Sequence, residues 1–180
     1  MTEKLVQAAL GSGARRAAPV NVADIVYSES FREVCRSNQC GNYGACWMCP
    51  PEIGPIAELM ARARSYPSGV LYQTVGALED SFDIEGMFAA AASHAAVSQR
   101  LQKQAEAMLK APFLHLTCGG CHLCPVCARR AGEPCRHPEL ALPSLEGYGM
   151  DVYRAARAAG LPYIHGPNTV TYFGMILFSE

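Results

Sequence analysis

Residues 118–127 run CGGCHLCPVC, with a cysteine at every third position: Cys118, Cys121, Cys124 and Cys127. This spacing lets one short loop present several soft sulfur ligands to a single face of a compact inorganic core. Cubane iron–sulfur clusters take four thiolates, commonly three at C-x2-C-x2-C and a fourth from further away, often beside proline. The pattern occurs in two overlapping registers, Cys118–Cys121–Cys124 and Cys121–Cys124–Cys127, and only one can serve at a time. Cys135, in EPCRHP, has proline on its N-terminal side and again soon after, which makes it the candidate fourth ligand.

An earlier group, CRSNQCGNYGACWMCPP, contributes Cys35, Cys40, Cys46 and Cys49, and ends in the Cys-Pro pairing seen in bacterial ferredoxins. Two 4Fe-4S clusters need eight thiolates and the chain has nine cysteines, so one is spare, and Cys118 is the candidate. The expected ligands are then Cys35, Cys40, Cys46 and Cys49 for one cluster and Cys121, Cys124, Cys127 and Cys135 for the other. With Cys46 as a ligand both clusters are closed, and one-electron transfer with a redox partner protein is the simplest role. Without it the first site keeps three thiolates, leaving an iron open to a small molecule, as in an enzyme or activating factor. Zinc is the chemical rival, because separated C-x2-C knuckles can close a tetrahedron and form a structural or interaction module. Five cysteines between 118 and 135 nevertheless exceed what one zinc needs.

Nearby residues take roles that depend on this core. Arg136 and His137 flank Cys135 and are placed either to donate hydrogen bonds to sulfur or to be solvated. Tyr43 and Trp47 sit inside the first group, as rings that exclude water or as ordinary core anchors. His122 is read as a surface residue, and His94, His115 and His165 as core or surface residues without a ligand pattern. Glu146, in PSLEGYG, is read as a cap for the helix that follows.

The elements that must position the two groups follow from periodicity and punctuation. A short helix over 2–10 ends at Gly11 and leads to a strand at APVNV. Ser28–Arg36 forms a helix with a serine cap that delivers Cys35, and IAELMARARSY forms another of about three turns stopped by Pro67 and Gly69. VLYQTV is a buried strand. A long helix from about Ile84 to Lys110, capped by Asp80, Ser81 or Asp83, has its seam at Ile84, Phe88, Ala91, Ala95, Leu101, Ala105 and Met108. FLHLT is a second strand, so strand, helix and strand make a βαβ crossover with the second cysteine group at its end. Gly149–Ala159 is helical and TVTYFGMILF is the last strand. The expected fold is α/β: a single domain over 1–180, with a small mixed or parallel sheet flanked by helices and two cysteine-rich cluster-binding loops.

Half the residues are hydrophobic, 17% are charged and the net charge is -1, which argues against nucleic acid and anionic membrane as partners. No run approaches the ~18 apolar residues of a membrane helix, and the N-terminus lacks a leader's apolar segment, so a cytoplasmic location is expected. In that reducing compartment closely spaced cysteines are metal ligands or catalytic thiols more often than disulfides. Walker, nucleophile-elbow and zinc-protease motifs are absent, and Gly11-Ser12-Gly13 lacks the rest of a dinucleotide fingerprint.

Over nearly its whole length the chain resembles a family of predicted metal-binding, cysteine-rich proteins common in anaerobic prokaryotes, DUF2284. The resemblance is carried by Cys35 and Cys40, NYG at 42–44, CPP at 49–51, Cys121-x2-Cys124-x2-Cys127, PCRHP at 134–138 and PSLEGYGMDV at 143–152. It implies metal binding and anaerobic life, and it does not imply a reaction.

Overall fold

The computed structural model describes residues 1–179; Glu180, inside the single domain expected over 1–180, lies outside the described residues. The elements run α1 Thr2–Gly11, β1 Arg16–Asn21, α2 Ser30–Arg36, α3 Ile56–Arg64, β2 Ser68–Ala77, α4 Ile84–Met108, β3 Leu114–Leu116, α5 Val152–Ala158 and β4 Thr169–Phe178. Short 3-10 turns lie at Val22–Asp24, Ala128–Ala131 and Glu146–Tyr148. The fold is mixed α/β in one domain.

The four strands stand in the order β1-β2-β4-β3, and every neighbouring pair is antiparallel. A mixed or parallel sheet is therefore not what forms. β2 and β3 each oppose β4, so they run parallel to one another, joined by α4 as the crossover pattern implies. β4 is inserted between them and converts both contacts to antiparallel. The apolar runs that read as parallel strands have another cause, which is that both faces of the sheet are covered. Leu71, Phe173, Met175 and Leu177 pack with Leu59 and Ala63 of α3 and Ala155 and Ala156 of α5. Val70, Tyr72, Ile176 and Phe178 pack on the opposite face with Leu5 and Ala9 of α1 and Val97, Leu101 and Ala105 of α4.

Asp83 caps α4, its carboxylate accepting the Gly86 N–H at 2.8 Å. The expected seam of α4 needs correction at its first half, since Ile84 and Phe88 are 63% and 71% exposed. The buried residues are His94, Val97, Ser98, Leu101, Gln102 and Ala105. At 3.6 residues per turn these centre roughly 90° around the helix from the line through Ile84, Phe88 and Ala95. Three of the six are polar, so apolar periodicity could not mark this face.

Candidate metal centre

Both cysteine loops start from one segment, Pro143 to Asp151. Ahead of the first loop, Tyr27 bridges Met150, the Ser28 N–H donates to the Gly149 carbonyl at 2.8 Å, and the Asp151 N–H donates to Val26 at 2.9 Å. Ahead of the second, Thr117 bridges Ser144, donates to the Pro143 carbonyl at 2.9 Å and accepts from the Leu145 N–H at 2.9 Å. Gly149 is required at the crossing: its φ is +74°, and a Cβ would lie 3.1 Å from the Ser28 oxygen and 2.9 Å from the Met60 sulfur. Glu146 does not cap α5, because Asp151 stands closer to the helix start and accepts the Arg154 N–H at 2.9 Å.

The loops also clasp one another directly. The Trp47 indole donates to the Glu133 carbonyl at 2.9 Å, Arg130 donates to the Gly41 carbonyl at 3.0 Å, and Arg129 pairs with Glu52 at 2.7 Å. Arg129 also lies over the Trp47 ring, 5.4 Å from its centroid. Trp47 is thus a cross-loop anchor, and Arg136 is held by Glu133 at 3.0 Å while also donating to Cys124.

All nine cysteines are free thiols. Cys121, Cys124, Cys127 and Cys135 line one cavity of about 20 Å³, and Cys46 of the first loop shares its wall. Cys46 faces both ways. It accepts hydrogen bonds from the Cys49 thiol, the Met48 and Cys121 backbone N–H groups and the Cys127 thiol, which together hold it down to about 5 against the opposing effect of burial. Cys49, donating to Cys46 and buried, is pushed up, and it feels Cys46, Cys40 and Cys35. Burial also raises Cys35, opposed by Arg32, and raises Cys121 to about 11. Of the expected ligands, Cys121, Cys124, Cys127 and Cys135 thus share one cavity wall with Cys46, while Cys35 and Cys40 lie near enough to Cys49 to act on it electrostatically. Among the described residues no three His, Cys, Asp or Glu side chains converge tightly enough to ligate a single ion.

Each set carries a guanidinium with an unused donor. Arg32 is buried, donates to the Gly54 carbonyl at 3.0 Å and the Gly147 carbonyl at 3.5 Å, and its Nε has no hydrogen-bond partner among the described residues. The group whose charge favours the Arg32 cation most is Cys35. Arg129 is held first by Glu52 and also senses Cys127, and its Nε is a buried atom with no hydrogen-bond partner among the described residues. A buried N–H without an acceptor is costly, so each position calls for an anionic sulfur at that spot. An all-thiol donor set beside the buried Arg32 and the half-buried Arg129 fits iron–sulfur or zinc–thiolate chemistry.

Cys118 sits elsewhere. It lies on a second cavity with Glu146 and Tyr172, and burial pushes its thiol up to about 12. Beside it runs a buried polar chain. The Tyr72 hydroxyl bonds Ser98 at 2.7 Å and His115 Nε2 at 2.8 Å, and His115 Nδ1 bonds Gln102 at 2.9 Å. His94 Nδ1 bonds Thr74 at 2.8 Å. His165 meets Gln73 at 2.6 Å, and His122 is exposed. The only available signal was the run of polar residues at helical spacing, His94, Ser98 and Gln102, within an otherwise alanine-rich helix.

A family model described as a predicted metal-binding protein (DUF2284) matches residues 18–178, and the chain belongs to that family. No curated protein and no solved structure matches the chain. No helix among the described residues is long and apolar enough to cross a membrane.

Proposed function

We propose that this metal-binding protein holds two 4Fe-4S clusters and exchanges electrons with a redox partner protein in a reducing, cytoplasmic compartment. Such clusters supply one-electron transfer at potentials tuned by the surrounding charge and hydrogen bonds. Cys121, Cys124, Cys127 and Cys135 would hold one, and Cys35, Cys40, Cys46 and Cys49 the other. The observation that carries this reading is the pair of buried, unpartnered Nε–H donors, Arg32 by Cys35 and Arg129 by Cys127, one beside each thiol set. The four second-loop thiols share the wall of one cavity, and their number matches the four thiolates that such a cluster takes. Arg32 and Arg129 stabilise negative charge on sulfur, Trp47 and the Glu52–Arg129 pair lock the loops together, and the Met48 and Cys121 N–H groups orient the Cys46 sulfur. Because the thiols must give up their protons on loading, metal uptake releases protons and weakens as pH falls.

The position of Cys46 favours a second reading. It borders the second-loop cavity, so Cys35, Cys40 and Cys49 can stand as a three-thiolate set with one coordination position left for a small molecule. Elemental analysis of protein purified without oxygen tests the proposal. About eight irons and eight acid-labile sulfides per chain are expected. Zinc in colourless protein without labile sulfide would leave only a structural or interaction module.

A further inference from the structure

The middle of α4 departs from the pattern of a surface helix, which buries an apolar stripe and turns charged residues outward. Residues 86–99 contain no aspartate, glutamate, lysine or arginine. His94, Val97 and Ser98 are buried against the sheet, while Phe88, Ala89, Ala92, Ser93 and Ala96 are exposed. Phe88 is 71% exposed, and Phe82 and Ile84, at the start of the helix, are 87% and 63% exposed. A helix without charge on either side belongs in an interior. Here one side has no cover among the described residues.

The exposed side also carries a register. Glu85, Ala89, Ala92, Ala96, Gln99 and Lys103 follow one another at alternating steps of four and three residues, the repeat of a coiled-coil seam. Glu85 and Lys103 close the row at opposite ends, both exposed, and neither forms an ion pair among the described residues. The row is therefore complementary to itself when reversed. With a two-fold axis at position 94, Ala92 meets Ala96 of a second copy, and Glu85 meets Lys103 of that copy at each end. A parallel pairing would instead set Glu85 on Glu85 and Lys103 on Lys103.

We propose that α4 is a self-association surface, on which two copies of this chain pack helix against helix, antiparallel, through Ala89, Ala92 and Ala96. The alanines let the two backbones approach closely, and Phe88, one turn before Ala92, covers the flank of the seam. At 1.5 Å per residue the row from Glu85 to Lys103 is about 27 Å long. One helix face of that length is at the low end of interface sizes, so the dimer is weak, half-formed on the order of tens of micromolar. It does not depend on which metal the thiols hold.

The test is sedimentation equilibrium of the metal-loaded full chain from about 1 to about 500 µM. The weight-average mass of the parent is expected to rise from one chain towards two across that range. Ala92→Glu sets two carboxylates in the seam and is expected to stay at one chain throughout, with unchanged metal content because position 92 is exposed in the single chain. Lys103→Glu places like charges at both ends and weakens association by roughly tenfold or more, and adding Glu85→Lys restores it. A parent that stays at one chain at every concentration, or an Ala92→Glu chain that still doubles, overturns the proposal. A double variant that associates no better than Lys103→Glu overturns it equally, because the antiparallel pairing then fails.

Discussion

The Cys46 sulfur accepts the backbone N–H of Cys121, although the two belong to different loops on opposite sides of β2, α4 and β3 in the chain. The two cysteine groups are therefore one continuous sulfur environment, and a change in either is felt by the other.

Cys46→Ser is expected to lower iron and labile sulfide from about eight to about four per chain, while Cys118→Ala leaves both unchanged. Full metal content in Cys46→Ser would show that it is not a ligand and would favour the three-thiolate site. Equal loss in Cys118→Ala would mean that the second loop uses the other register.

Removing an N–H donor from beside a cluster makes its reduced, more negative state less favourable. Arg129→Gln is expected to lower the potential of the second-loop cluster by on the order of 60 mV, equivalent to about one tenfold step for one electron. An anaerobic redox titration followed by electron paramagnetic resonance measures it. An unchanged midpoint at full iron content would show that the Nε–H does not face the cluster.

Two buried histidines set an acid limit on stability. Burial holds His94 down to about 4 and His115 to about 3, from an ordinary value of 6.5. Below 6.5 the unfolded chain binds protons that the folded chain refuses. The stability these rings contribute is complete above that value and is lost as pH falls through 4 and then 3. Each adds a limiting slope of about 1.4 kcal/mol per pH unit. Urea unfolding across this window should show a shallower pH dependence in His115→Gln than in the parent, and identical slopes would contradict the assignment.

Tyr72 and Gly174 are register partners on β2 and β4, and the phenol lies directly over the glycine. A methyl at position 174 would collide with the ring and displace the hydroxyl from Ser98 and His115. Gly174→Ala is expected to cost about 1–3 kcal/mol in chemical denaturation. A neutral effect would mean that the Tyr72 ring has room to swing aside.

Metal binding, the α/β class and the position of the cysteine loops were legible in the sequence, and the order of the strands was not. Thiol spacing marked both loops, and β-branched and aromatic runs marked β2 and β4, because those signals are local. The insertion of β4 between β2 and β3 is set by which apolar faces meet, and nothing in FLHLT or VLYQTV records it. The buried side of α4 was hidden because it is polar: His94, Ser98 and Gln102 bond Thr74, Tyr72 and His115 on the sheet. Glu146 was misread as a cap because Asp151, with a better position for that task, lies only a few residues further on. The motif PSLEGYGMD stood out by composition, but its work in pinning Tyr27 and Thr117 depends on pairings across long stretches of chain.

Of the four strands, β4 comes last in the chain yet stands between two that precede it, and β3 has no other ladder partner. During synthesis β3 thus waits for its ladder partner until residues 169–178 have emerged, and the start of the second cysteine loop depends until then on the pairing of Thr117 with Pro143 and Leu145. In the finished fold Cys40 is exposed and Cys35, Cys121, Cys124, Cys127 and Cys135 keep partial exposure, so both loops stay within reach of incoming metal after the sheet has closed, and only Cys46 and Cys49 are shut away.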